Sequence, residues 1–177
     1  MIFRELALIG AFTIAPEPAR DARGFFARIF CEQEFTHHGL ETSFPQSSIS
    51  YNAHRHTLRG MHFQAPPAAE TKLVRCTAGA VYDVIVDLRE GSPTRHSWAA
   101  VELSAENRLT LYVPEGFAHG FQTLTDGAEV AYDISRPYAP DLARGLRFDD
   151  PALAIRWPEA PQRIVSERDR CWPLIGA

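Results

Sequence analysis

The sequence predicts an all-β chain: one barrel or double-sheet jelly roll with a few short helices at its ends. Three observations carry this. The 177 residues fit a single domain, 1–177, long enough to bury its own core. Thirteen prolines and eleven glycines punctuate short runs rich in Val, Ile, Phe and Tyr, as in a chain of many short strands. Residues Ala80 to Leu88 alternate cleanly, with Val81, Asp83, Ile85 and Asp87 on one face and Tyr82, Val84, Val86 and Leu88 on the other.

In chain order, the only helix the first half supports is 31–38, closed by Gly39, because glycine takes the left-handed conformation that ends helices. Residues 51–57 read as a polar turn between two strands. A strand through 58–64 sends Gly60, His62 and Gln64 to one face and Arg59, Met61 and Phe63 to the other. The strand 72–77 alternates imperfectly, and Ala78-Gly79 separates it from 80–88. There Asp83 and Asp87 sit among apolar neighbours, so that face should look into a partly polar cavity. Further strands are expected at 97–103, 108–113, 116–124 and 129–135. The proline-rich stretch 137–161 is irregular, with a helical turn after Asp150-Pro151.

Composition narrows the function. A net charge of −4 gives no basic surface, which disfavours a nucleic acid polymer or an acidic membrane as partner. No apolar run approaches a membrane span, and residues 1–5 lack the charged-then-apolar pattern of a leader, so a cytoplasmic protein is expected. Cys31, Cys76 and Cys171 are odd in number and widely spaced, which argues against disulfides or a zinc site.

The densest polar cluster is Leu58-Arg59-Gly60-Met61-His62-Phe63-Gln64 with Lys72 after it. A lone barrel histidine is most often a satisfied core residue. Here His119 follows within Pro114–Phe121, and Tyr132 and the charged run 166–169 come later. His54 and His56 have the same-face spacing that grips zinc or iron, but no third ligand stands at a telling distance, so no metal is expected. There is no GxSxG elbow, dinucleotide fingerprint or P-loop. Acid–base chemistry remains, with histidine as base and tyrosine as protonated donor.

These residues resemble the dTDP-4-dehydrorhamnose 3,5-epimerase family almost from end to end. The markers are Arg23-Gly24-Phe25-Phe26, Leu58 to Pro67, Lys72-Leu73-Val74-Arg75, Val86-Asp87-Leu88-Arg89 with Gly91-Ser92-Pro93-Thr94, Leu103 to Asn107, Pro114 to Phe121 and Asp150-Pro151. The resemblance implies a cupin-type double-stranded β-helix, no metal or organic cofactor, and a homodimer in which the segment 1–50 reaches the partner's site. It implies epimerisation at C3 and C5 of a nucleotide-linked 4-keto-6-deoxyhexose. His62 would be the base, Asp169 its carboxylate partner, Tyr132 the acid, and Lys72 the cation facing the enolate oxygen. Arg23, Phe26, Arg28, Gln46, Ser48, Arg59, His119, Tyr138 and Arg168 match substrate-binding positions, with Arg59 at the diphosphate and Tyr138 stacked on the base.

Three positions depart from the family pattern. Arg28 and Ala143 stand where glutamate is common, and Ser48 where asparagine is. A carboxylate suits the N–H of thymine, whereas a guanidinium suits cytosine N3 and O2, so a CDP-linked substrate is an alternative. The others are a single-carbon epimerase or isomerase and a non-catalytic sugar-binding cupin. The last would have no need of His62, Lys72, Tyr132 and Asp169 together.

Overall fold

A computed structural model describes residues 1–176. The elements are β1 (Ile2–Glu5), β2 (Phe12–Ala15), β3 (Ala19–Asp21), β4 (Gly24–Phe26), α1 (Glu32–His37), β5 (Gln46–Asn52), β6 (Thr57–Gln64), β7 (Lys72–Ala78) and β8 (Ala80–Asp87). They continue with β9 (Trp98–Ser104), β10 (Thr110–Val113), β11 (Phe117–Thr123), β12 (Ala128–Ile134), a 3₁₀ turn (Pro140–Leu142), β13 (Ala143–Gly145), β14 (Ile164–Val165) and α2 (Glu167–Arg170). Two sheets face each other. The first runs β1-β2-β10-β7-β12-β5, and the second runs β13-β6-β11-β8-β9 with β14 parallel to β6. The predicted strands are present within two residues at each end; the four strands before α1 had no sequence signal that set them apart.

The alternation read in 80–88 is the key to the architecture. Val81 and Ile85 enter the core between the sheets, beside Val74, Val130, Leu103 and Phe121. Val84 and Val86 face the other way and pack under Leu146, Leu153, Trp157 and other residues of the later chain. Both faces of β8 are therefore buried, which is why the strand is rich in valine and isoleucine. The chain does not fold back as a hairpin at Ala78-Gly79: β7 and β8 belong to opposite sheets. Gly79 makes that crossing at φ +69, and a Cβ there would collide with the Thr125 hydroxyl.

Helix α1 forms as expected. Cys31 caps it in an extended conformation, Glu32 and Glu34 complement its first turn, and Gly39 ends it at φ +68. The Gly39 and Leu40 N–H groups donate back to Thr36 and Phe35 carbonyls, the paired bonds of a Schellman stop. Its one fully buried side chain, Phe35, joins Ile14, Leu73 and Tyr112. Burying such a ring contributes roughly 1.5–3 kcal/mol, so Phe35→Ala is the change that would detach the helix. After Asp150-Pro151 the expected turn is present, held by Leu153 and Ala154 N–H donating to the Asp150 carbonyl.

Candidate active site

A cavity of about 260 Å³ opens between the sheets. Of the side chains expected in a site, Gln46, His62, Lys72, His119, Tyr132, Tyr138 and Arg168 line it. They come from both walls: His62 and His119 from the sheet of β6 and β11, Lys72 and Tyr132 from that of β7 and β12.

The aim of His62 depends on an irregularity. In the pairing of β6 with β11, His62 lies opposite His119, but the register shifts before Arg59 meets Phe121. Beyond the shift the alternation holds as read from the sequence: His62 and Gln64 line the cavity, while Phe63 packs with Met61 under the later chain and reaches the cavity wall as well. Gly60 and Gly120 allow the close approach of the two strands. A Cβ on Gly60 would lie 2.6 Å from the Gly120 Cα.

Behind His62 stands Asp169, delivered by α2. Ser166 caps that single turn, its hydroxyl accepting from Asp169 N–H at 3.1 Å. Asp169 Oδ1 lies 2.6 Å from His62 Nε2 and also accepts from the Trp172 indole N–H at 3.2 Å; Oδ2 accepts from the Gly60 N–H at 3.3 Å. Burial works to raise the Asp169 carboxyl, but the His62, Gly60 and Trp172 groups outweigh it and hold it below the usual carboxylate range. An ionised carboxylate only accepts, so His62 Nε2 must carry the proton. The remaining nitrogen, Nδ1, has no partner among the described residues and is free to act as a base.

His119 is different. Its Nε2 meets both oxygens of Asp83, at 2.8 and 2.9 Å, and both side chains are out of solvent. Burial pushes the Asp83 carboxyl up, with His119 and Lys72 opposing it. Asp83 is thus the polar group that the alternating face of β8 pointed to; Asp87 serves elsewhere, holding Arg89, Ser92 and Thr94 in the following loop. The Tyr132 ring packs edge-on to His119 with centroids 5.9 Å apart. Burial first, and the Asp83 charge second, push the Tyr132 phenol far above its ordinary range. It stays protonated, a donor rather than a base. Lys72 Nζ is paired with Glu70 at 2.8 Å, almost out of solvent.

Tyr138 is held by two glutamines. Gln46 Oε1 accepts from the Tyr138 N–H at 3.0 Å, and Gln64 Oε1 from the Ala139 N–H at 2.6 Å. Gln64 also donates to the Ala68 carbonyl, tying together the two loops at the cavity's mouth. Alternation already puts Gln64 on the face of His62, whereas Glu70 and Trp172 carry no signal of their own in the sequence.

Other expected residues lie outside this chain's cavity. Arg59 is turned to Asn52 Oδ1 at 2.7 Å, although its charge reaches Tyr132. Ser48 is exposed on β5, opposite Tyr132 in register. Arg23 and Phe26 project on the β3–β4 hairpin, Arg23 paired with Asp21 and Phe26 80% exposed. Arg28 contacts Glu34 at 3.3 Å and meets no part of the cavity. Ala143 does line it. Among the described residues no group of three His, Cys, Asp or Glu is disposed to hold a metal, and no helix is long and apolar enough to cross a membrane.

Residues 5–176 match the family model of dTDP-4-dehydrorhamnose 3,5-epimerase. A protein of that name from Sinorhizobium fredii is 43% identical over 175 residues, 99% of this chain and 90% of its own length. Among solved structures, the dTDP-4-dehydrorhamnose 3,5-epimerase from Bacillus anthracis with TDP and PPi bound is 42% identical, with a TM-score of 0.94 over 98% of both chains. A 3'-monoepimerase from Streptomyces bikiniensis in complex with dTDP-quinovose is 33% identical, with a TM-score of 0.89 over 96% of this chain and 86% of its own. The chain belongs to the dTDP-4-dehydrorhamnose 3,5-epimerase family and is an isomerase-class enzyme of cupin-type β fold.

Proposed function

We propose that this enzyme epimerises a dTDP-linked 4-keto-6-deoxyhexose at C3 and C5, without metal or organic cofactor, in deoxysugar synthesis. The observation that carries the reading is His62, backed by an ionised Asp169, in one cavity with a protonated Tyr132 on the opposing sheet. The C4 keto group acidifies the hydrogens on its neighbouring carbons. His62 Nδ1 takes one of them; the C–H electron pair becomes the enolate double bond, and the charge moves to the C4 oxygen. Lys72 faces that oxygen, where a cation stabilises charge that exists only after proton loss. Tyr132 then donates its phenolic proton to the carbon from the other side, and solvent restores both residues. The same cycle at the second carbon completes the product.

Arg168 and Arg59 serve the diphosphate, and Tyr138 stacks on the base. Arg23, Phe26 and Arg28 act in the partner's site of a homodimer built through the segment 1–50. Two features support the dimer: the β3–β4 hairpin has all six residues exposed, and Ile49 and Tyr51 stand 69% and 62% exposed on the edge strand β5.

A second reading is favoured by Ala143, which lines the cavity where the family commonly has glutamate. It is a single-carbon epimerase or an enzyme for another carrier such as CDP. Turnover of dTDP-4-dehydro-6-deoxyglucose in D₂O separates these readings. Deuterium at both C3 and C5 is expected. Deuterium at one carbon selects the single epimerase. Exchange only with the CDP-linked sugar moves the carrier, and none with either leaves a binding protein.

A further inference from the structure

Trp172 touches three parts of the site at once. Its indole N–H donates to Asp169 Oδ1, the same oxygen that meets His62. Its ring carries the Arg168 guanidinium, 5.0 Å from the centroid, and Arg168 lines the cavity. The ring also stands edge-on to His62 with centroids 6.3 Å apart.

The seat of this ring is prepared by the strand opposite the base. Gly145 of β13 pairs in register with His62, and a Cβ at Gly145 would run into the Trp172 indole. Only glycine leaves room for the ring to lie there. The segment after α2 is fastened independently, by Arg147 N–H donating to the Pro173 carbonyl and by Ile175 N–H donating to Asp150. Trp172 is therefore not needed merely to pin the chain down. What it adds is a polar contact to the carboxylate and an aromatic platform beneath a cation.

We propose that Trp172 is a positioning residue that sets both the Asp169 carboxylate behind His62 and the Arg168 guanidinium at the substrate's diphosphate. The proposal rests on the reading of His62 as the base. An indole donor on Oδ1 leaves Asp169 less freedom to rotate away from His62 Nε2, and so fixes the direction of the imidazole. Through the ring, the same side chain holds the exposed Arg168 at the cavity's rim. The enzyme thereby places its phosphate-binding cation and its base through one rigid group.

The two functions separate by substitution. Trp172→Phe keeps a ring but removes the donor, and should lower kcat about three- to ten-fold, the loss of one modest hydrogen bond, with KM within two-fold. Trp172→Ala removes the platform too, and should also weaken dTDP binding by about two- to five-fold, as expected for a partly exposed cation–π contact. In an Asp169→Ala background, which removes the acceptor, Trp172→Phe should change kcat less than two-fold, because the indole acts through that carboxylate. Unaltered kcat in Trp172→Phe, or an equal fall in both backgrounds, overturns the carboxylate half of the proposal. Should Trp172→Ala fold poorly, Gly145→Ala displaces the ring while keeping the indole, and unchanged dTDP affinity in the variant that folds overturns the Arg168 half. His62→Ala keeping full exchange would instead remove the base assignment, and the dTDP comparison would still decide the platform.

Discussion

Two histidine–aspartate pairs stand face to face in one sheet, His62 opposite His119 in the register of β6 and β11, yet they are built to opposite ends. The His62 side chain is 43% exposed and its aspartate is held ionised by three donors. His119 is 5% exposed, and its aspartate, wholly buried on β8, is pushed toward the neutral form. A pair open to the cavity with a free ring nitrogen can exchange a proton with a ligand. The other pair also borders the cavity, but its imidazole is tied to a wholly buried carboxylate, so it presents a fixed polar edge. The same two side chains thus differ in exposure and ionisation because of burial and surrounding donors rather than chemistry.

The largest effect should come from breaking the open pair. His62→Ala is expected to reduce deuterium incorporation by about a hundred- to ten-thousand-fold, the usual weight of one acid–base group, while thermal unfolding stays close to wild type. Tyr132→Phe should cost net epimerisation within the same range, with some solvent exchange surviving through His62. The closed pair should break differently. Asp83→Ala leaves the buried His119 N–H without its acceptor and should cost about 1–3 kcal/mol in a denaturant titration, more than Asp169→Ala, whose histidine is open to solvent. Equal losses would mean that burial does not distinguish the pairs.

The smallest expected effect is the sharpest in sign. Asp169 is lowered in the fold, so its contribution to stability is full above the ordinary aspartate range and is lost as pH falls through its lowered value. Asp83 is raised, so folding favours its protonated form, and its ionisation costs stability as pH rises past the ordinary aspartate range. Between pH 3 and 7, Asp169→Asn should therefore flatten the acid loss of stability and Asp83→Asn should steepen it. Unfolding free energies of the two variants across that range check the prediction.

Much of this was legible because burial leaves a two-residue period in strands. The faces of β8, the glycine stop of α1 and the polar aspect of Asp83 follow from local pattern alone. The pairing of His62 with Asp169, 107 residues apart, does not; only resemblance suggested it. The register shift in β6 was hidden for a physical reason: an irregularity permitted by two facing glycines leaves no trace in alternation. Trp172 and Glu70 were overlooked because each looks ordinary in sequence and gains meaning only from what the fold sets beside it. The hairpin residues Arg23 and Phe26 show the converse, since their motif was plain but one chain gives them no cavity to line.

The carboxylate behind His62 belongs to a single helical turn that follows every strand of both sheets in the chain. During synthesis, which delivers the N-terminal portion first, the two sheets can associate before Asp169 exists to join them. A nascent chain at that stage would hold His62 without its carboxylate partner. The contact between Asp169 and His62 can thus form only after every strand of both sheets has been made.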